Sequence, residues 1–182
     1  MSSVHWRRLD LPGRDQAELT TTAQGAHHLA GAAHFRDADE LVAITYVVTL
    51  TADWKTQAAA LRIMTRNGRR RVRITSDASS EWAVQGQAMP AVSGALDLDL
   101  AFTPATNLIS IRRLALTIGS RAEVTAAWLD FRADRLTPLR QIYHRVSREE
   151  YAYSCPDLGF NATLRVDENG FVRRYPPLWD EA

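Results

Sequence analysis

The chain has 182 residues, 46% hydrophobic and 24% charged, with a formal charge of +1. That length suits one domain, residues 1–182, with a core large enough to need no disulfide. The near-neutral total argues against broad electrostatic capture of nucleic acid or an anionic membrane, and the single cysteine, Cys155, leaves no disulfide or cysteine metal pattern to build.

In chain order, the opening MSSVHWRRLDLPG has no apolar leader core, and no later window approaches a membrane span or carries a lipidation motif. The expectation is a cytoplasmic chain with no integral membrane association. The best helical pattern, Asp15 to Leu29, is interrupted by threonines 20–22 and Gly25. From residue 41 onward, apolar and polar residues alternate with period two, as in half-buried strands. RRVRI (70–74) sets Arg71 and Arg73 against Val72 and Ile74. ALDLDLAF (95–102) sets Leu96, Leu98, Leu100 and Phe102 against Asp97 and Asp99. EVTAAWLDF (123–131), LRQIYHRV (139–146), EYAYS (150–154) and ATLRV (162–166) follow, all rich in β-branched or aromatic residues. Asn67-Gly68 and Asn169-Gly170 mark tight turns, because these residues accept positive φ. The fold class is all-β.

A repeat is also visible. LVAITYVVTL (41–50) resembles LISIRRLALT (108–117), and EWAV (81–84) resembles EYAY (150–153), at nearly equal offsets. This gives repeats over 41–102 and 108–167, two antiparallel meanders pairing into one curved sheet and linked by Thr103-Pro104-Ala105-Thr106-Asn107.

The candidate polar site lies around that link. In a regular strand, adjacent Arg112 and Arg113 point to opposite faces, and the apolar parity switches across them, as a β-bulge would produce. An arginine aimed at the apolar side needs a carboxylate or a ligand. Either Asp97 or Asp99 fixes it internally, or it forks onto a carboxylate, phosphate or sugar hydroxyls. Thr106 and Asn107 either bond their own turn or reach a polar headgroup. Trp128 and Tyr143, on predicted strands, are core or line an amphiphile groove. His27, His28 and His34 have no ligand spacing that predicts a metal. His144 beside Tyr143 finds no nucleophile to serve, and RNGRRRVR (66–73) reads as a solvated arginine face. No cofactor is expected.

With these residues in view, the whole chain resembles the bacterial putative glycolipid-binding family, formerly a domain of unknown function. The resemblance is carried by WRRLDLPGRDQAEL (6–19), the strand around Tyr46 ending near Asp53-Trp54, and DLDLAFTPATNLISIRRLAL (97–116). AAWLDF (126–131), QIYHR (141–145) and VDENGFVRRYPPLW (166–179) complete it. Ser110 stands where the family pattern has a proline, which lets strand pairing extend one residue further. The resemblance implies two intertwined β repeats forming a half-barrel-like spiral. It also implies a non-catalytic protein binding a glycolipid or other amphiphile. In that reading aromatics meet the apolar part, and Arg112 or Arg113, with Thr106 and Asn107, meets the head. Two alternatives differ in class: an enzyme using Asp97 or Asp99 as base with an arginine clamp on a small carbonyl or sugar compound, and a protein-interaction scaffold with a flat apolar patch.

Overall fold

Alternation sets the frame. Along Glu40–Leu50, Val42, Ile44, Tyr46 and Val48 are buried while Leu41, Thr45 and Val47 face outward, as a pleated strand with one covered face requires. The computed structural model describes residues 2–182. The first half runs β1 (Ser2–Arg8), β2 (Gly13–Thr21), β3 (His27–Asp37), β4 (Glu40–Leu50), β5 (Thr56–Thr65), β6 (Gly68–Ser76), β7 (Trp82–Val84) and β8 (Gln87–Ala88). The second half runs β9 (Leu98–Asp99), α1 (Asn107–Leu114), β10 (Arg121–Asp130), β11 (Arg135–Arg145), β12 (Glu150–Cys155), β13 (Phe160–Val166), β14 (Val172–Tyr175) and β15 (Trp179–Glu181).

Among the described residues, 15 strands form one ladder in the order β8-β7-β6-β5-β4-β3-β2-β1-β15-β14-β13-β12-β11-β10-β9. Every pairing is antiparallel except β9 with β10. The order is pseudo-symmetric about the β1–β15 seam, where Trp6 faces Glu181 and Arg8 faces Trp179. This corrects the expected spiral in two respects. The meanders are not intertwined, since each keeps its own strands and strand pairing joins them only at β1 with β15. Nor is the sheet a half-barrel-like spiral of two interleaved repeats: it is one open ladder, not closed on itself, whose outermost strands β8 and β9 are not paired with each other.

The segment between the meanders departs most from expectation. Residues 108–114 form a helix, so LISIRRL is not the counterpart of the strand at 41–50. The parity switch read as a bulge is the helical period. Five successive residues, Asn107 to Ile111, are buried, which suits a helix enclosed on all sides. Ala115, at φ 44°, ends it, with its N–H on the Ile111 carbonyl. In ALDLDLAF only Leu98 and Asp99 pair, because Ala101 turns to φ 62° and breaks the strand.

This connector lies on the buried faces of both meanders. Thr56 N–H donates to the Leu96 carbonyl at 2.9 Å, and Ala127 N–H to the Asp97 carbonyl at 2.8 Å. Phe102 packs against Phe35, Tyr46 and Phe131. Trp6 and Trp82 are fully buried, their indole N–H groups donating to the carbonyls of Val172 and Ala95 at 2.6 and 2.9 Å. Phe102, Trp6 and Trp82 thus belong to one buried hydrophobic cluster.

Candidate functional site

Helical neighbours are about 100° apart, so Arg112 and Arg113 enter two different environments. Arg113 turns inward. Its Nε and Nη2 donate to Asp97 Oδ1 and Oδ2 at 2.5 and 2.8 Å, and Ser110 Oγ donates to the same carboxylate at 2.7 Å. Asp97 is only 1% exposed, so the fork satisfies a carboxylate that would otherwise be costly to bury. The Asp97 carboxylate in turn holds the guanidinium above its ordinary pKa. Ser110, expected to extend a strand, instead completes this pair from the helix.

Arg112 has no carboxylate partner among the described residues. Its guanidinium lies 4.9 Å from the Trp54 ring centroid, a cation–π contact. The same ring stacks on His27 at 3.8 Å and 16°. Trp54 adopts φ 67°, a left-handed conformation that is strained in a bulky residue. Its N–H is fixed on the Thr51 carbonyl at 3.0 Å. Burial lowers the His27 pKa below its ordinary value, which keeps the stacked imidazole neutral beside a cation.

Beyond Trp54, Arg112 faces an open cleft of about 1120 Å³ built by α1, β11, β12, β13, β14 and β15. Six arginines and five carboxylates line it. Arg165 pairs with Glu149 at 3.1 Å, and Arg173 pairs with Asp167 at 2.6 Å and also with Glu181. Arg145 is held by the carbonyls of Leu116, Arg148 and Ser147 at 2.7, 3.2 and 3.3 Å, over the Tyr151 ring. Carbonyls orient that charge without cancelling it. Glu168 and Asp180 have no basic partner among the described residues. The cleft therefore offers both free donors and free acceptors. The tight turn at Asn169-Gly170 closes one side. Gly170 has φ 93°, and a Cβ there would lie 3.0 Å from Arg112 Cδ.

Of the sequence candidates, only Arg112 lines this cleft. Thr106 and Asn107 are buried; Thr106 Oγ1 accepts from Leu100 N–H at 3.3 Å, and Asn107 Nδ2 donates to the Pro104 carbonyl at 3.3 Å. The Tyr143 hydroxyl has Asn107 Oδ1 and Gln141 Oε1 as acceptors at 3.0 and 3.1 Å, and burial raises its pKa well above the ordinary value. Asp99 accepts from Gln141 Nε2 at 2.6 Å and from Ala101 N–H at 2.7 Å, and its pKa too is raised by burial. Trp128 is partly buried against the core. The enzymatic arrangement, an aspartate and an arginine opening together into a pocket, is not what Asp97 and Asp99 form.

Sequence reasoning missed Asp15. It sits at the buried parity of β2, 3% exposed. The Thr103 hydroxyl donates to it, and the Tyr46 hydroxyl lies 3.3 Å from its Oδ2. Burial, outweighing these bonds, pushes its pKa up to about 7. The signal was the alternation Asp15, Ala17, Leu19, hidden by reading that segment for helix. The cleft carboxylates and arginines of 145–181 were also missed, because their meeting depends on strand order.

The fold and cleft thus define an all-β protein with a polar recess at the second meander. Residues 3–181 match the family described as "Putative glycolipid-binding", and the chain belongs to that family. A crystal structure of a DUF1089-family protein from Pseudomonas aeruginosa is similar, with a TM-score of 0.79, 29% sequence identity and 92% of each chain covered. No curated protein matches the chain. Among the described residues, no helix is long and apolar enough to cross a membrane.

Proposed function

We propose that this protein binds an amphiphile of the glycolipid class, without catalysis, by holding its polar head in the Arg112 cleft. The observation that carries this reading is the uncompensated Arg112 guanidinium facing a recess with free donors and free acceptors. A sugar presents hydroxyls that both donate and accept, so mixed guanidinium and carboxylate walls suit it better than a purely basic site would. Three of the segments that carry the family resemblance, 97–116, 141–145 and 166–179, contribute to the lining. Trp6, Trp82 and Phe102 occupy the buried face, and in this reading the lipid tail lies outside it.

Titration calorimetry with short-chain alkyl glycosides, neutral and uronic, tests the reading. Saturable binding is expected, weakened at least roughly tenfold in Arg112→Ala, since a hydrogen bond from a charged group contributes about 1.5–3 kcal/mol. Binding that ignores this substitution, or none across the panel, refutes the assignment.

A further inference from the structure

The first meander has a second, outward face whose composition the Arg112 cleft does not explain. Register fixes its neighbours. Met64 lies between Ala43 and Arg69, Arg62 between Thr45 and Arg71, and Ala60 between Val47 and Arg73. Arg69, Arg71 and Arg73 therefore rise along one side of β6 at intervals of roughly 7 Å. All three are exposed and have no carboxylate partner among the described residues. Arg62 stands directly across from Arg71, a like-charge pair that is unfavourable in isolation. A groove of about 790 Å³ runs between them, lined by Arg62, Arg71, Arg73, Val47 and Ala60 and by no acid. The closest outward acid along that row, Glu18, is separated from Arg73 by Ala30, Val47 and Ala60, roughly 19 Å at the usual strand spacing. By contrast Arg70, of opposite parity, pairs with Asp134.

Large apolar side chains share the same face. Leu41 is 70% exposed, Met64 46% and Val47 43%. We propose that this face docks on an anionic lipid surface, with the arginines meeting lipid phosphates and Leu41, Met64 and Val47 reaching into the headgroup boundary. Charge complementarity calls for an anionic partner, and the exposed apolar residues select a lipid surface over a polyphosphate strand. The aromatic residue of the groove lining, Tyr46, is buried, so it offers no platform of the kind on which single-stranded nucleic acid stacks. The net charge of +1 does not oppose this, because at physiological salt a surface responds to charges within about 8 Å, and here Arg62, Arg69, Arg71 and Arg73 lie together without acidic partners among the described residues.

Co-sedimentation with phosphatidylcholine vesicles, with and without phosphatidylglycerol, tests the proposal independently of any glycolipid. Partition into the phosphatidylglycerol vesicles is expected, falling with salt. The triple substitution Arg69→Gln, Arg71→Gln, Arg73→Gln should weaken it by roughly a hundredfold, and Arg71→Gln alone by about fivefold. Leu41→Ser with Met64→Ser should remove the binding that survives high salt. Equal partition into both vesicle types, an unaffected triple variant that retains its native circular dichroism, or tighter capture of duplex DNA at the same salt each overturns the proposal.

Discussion

Arg113, the penultimate residue of α1, grips both oxygens of Asp97, while Ser110, one turn earlier, donates to the same carboxylate. The pair fastens α1 to the strand-like stretch before it, and so fixes the direction in which the next guanidinium, that of Arg112, must point. A structural ion pair and an open binding cation are thus made by consecutive residues, the first positioning the second.

Removing one partner strands a buried charge. Asp97→Ala should lower stability by about 3–5 kcal/mol, read from the urea midpoint. Arg113→Lys keeps the charge but loses the fork, and should fall between the two. A wild-type midpoint in Asp97→Ala would remove the positioning role.

The Asp15 carboxyl gives a pH signature. Its pKa is raised to about 7 in the folded state, so the folded protein binds the proton more tightly than the unfolded chain. Stability contributed by this site is greatest below the ordinary carboxylate range, where the group is protonated in both states. It is lost as pH rises from about 4 to about 7, at about 1.4 kcal/mol per unit of difference. Asp15→Asn should therefore be the more stable form at pH 8 and should flatten the slope. Parallel pH–stability curves for the two proteins would contradict the assignment.

Gly31 faces Tyr46 across the β3–β4 ladder. A Cβ at Gly31 would lie 2.3 Å from Tyr46 Cζ and Oη and 2.5 Å from the Gln16 carbonyl. The tyrosine ring reaches Asp15 and Thr103 because that space is empty. Gly31→Ala should cost about 1–3 kcal/mol through overpacking. It should also shift the Asp15 titration by displacing the Tyr46 hydroxyl. An unchanged melting temperature would show that the ring has room to move.

Gly170 constrains Arg112 from the opposite side. Gly170→Ala combines a left-handed backbone, unfavourable by roughly 1–2 kcal/mol for residues with a Cβ, with a contact on the Arg112 side chain. Glycoside affinity should drop in this variant even where calorimetry shows a folded protein. Unaltered affinity would mean that Arg112 does not set binding.

Most strands could be read from alternation alone. EVTAAWLDF, LRQIYHRV, EYAYS and ATLRV each fall within or largely overlap β10 to β13, and both Asn-Gly turns sit between strands. The connector could not be read this way, because a short run of apolar residues does not distinguish a buried strand from a buried helix. Leu108, Ile109 and Ile111 are compatible with either, and tertiary enclosure by both meanders decided for helix. Arg112 was identifiable as a cation needing an explanation. Its companions Arg145, Arg165, Asp167 and Arg173 were not, because they converge only once β11 to β14 are stacked in order.

The seam between β1 and β15 has a consequence for how the chain reaches its native state. Synthesis delivers the first meander early, but the outer edge of β1 stays bare until β15 is made. That edge is a template for unwanted pairing, and contacts spanning nearly the whole chain, such as Trp6 with Val172, slow productive folding. A circular permutant of this chain that links residue 182 to residue 1 and opens at the exposed Asn67-Gly68 turn would make β15 and β1 consecutive, turning that long-range closure into a local hairpin.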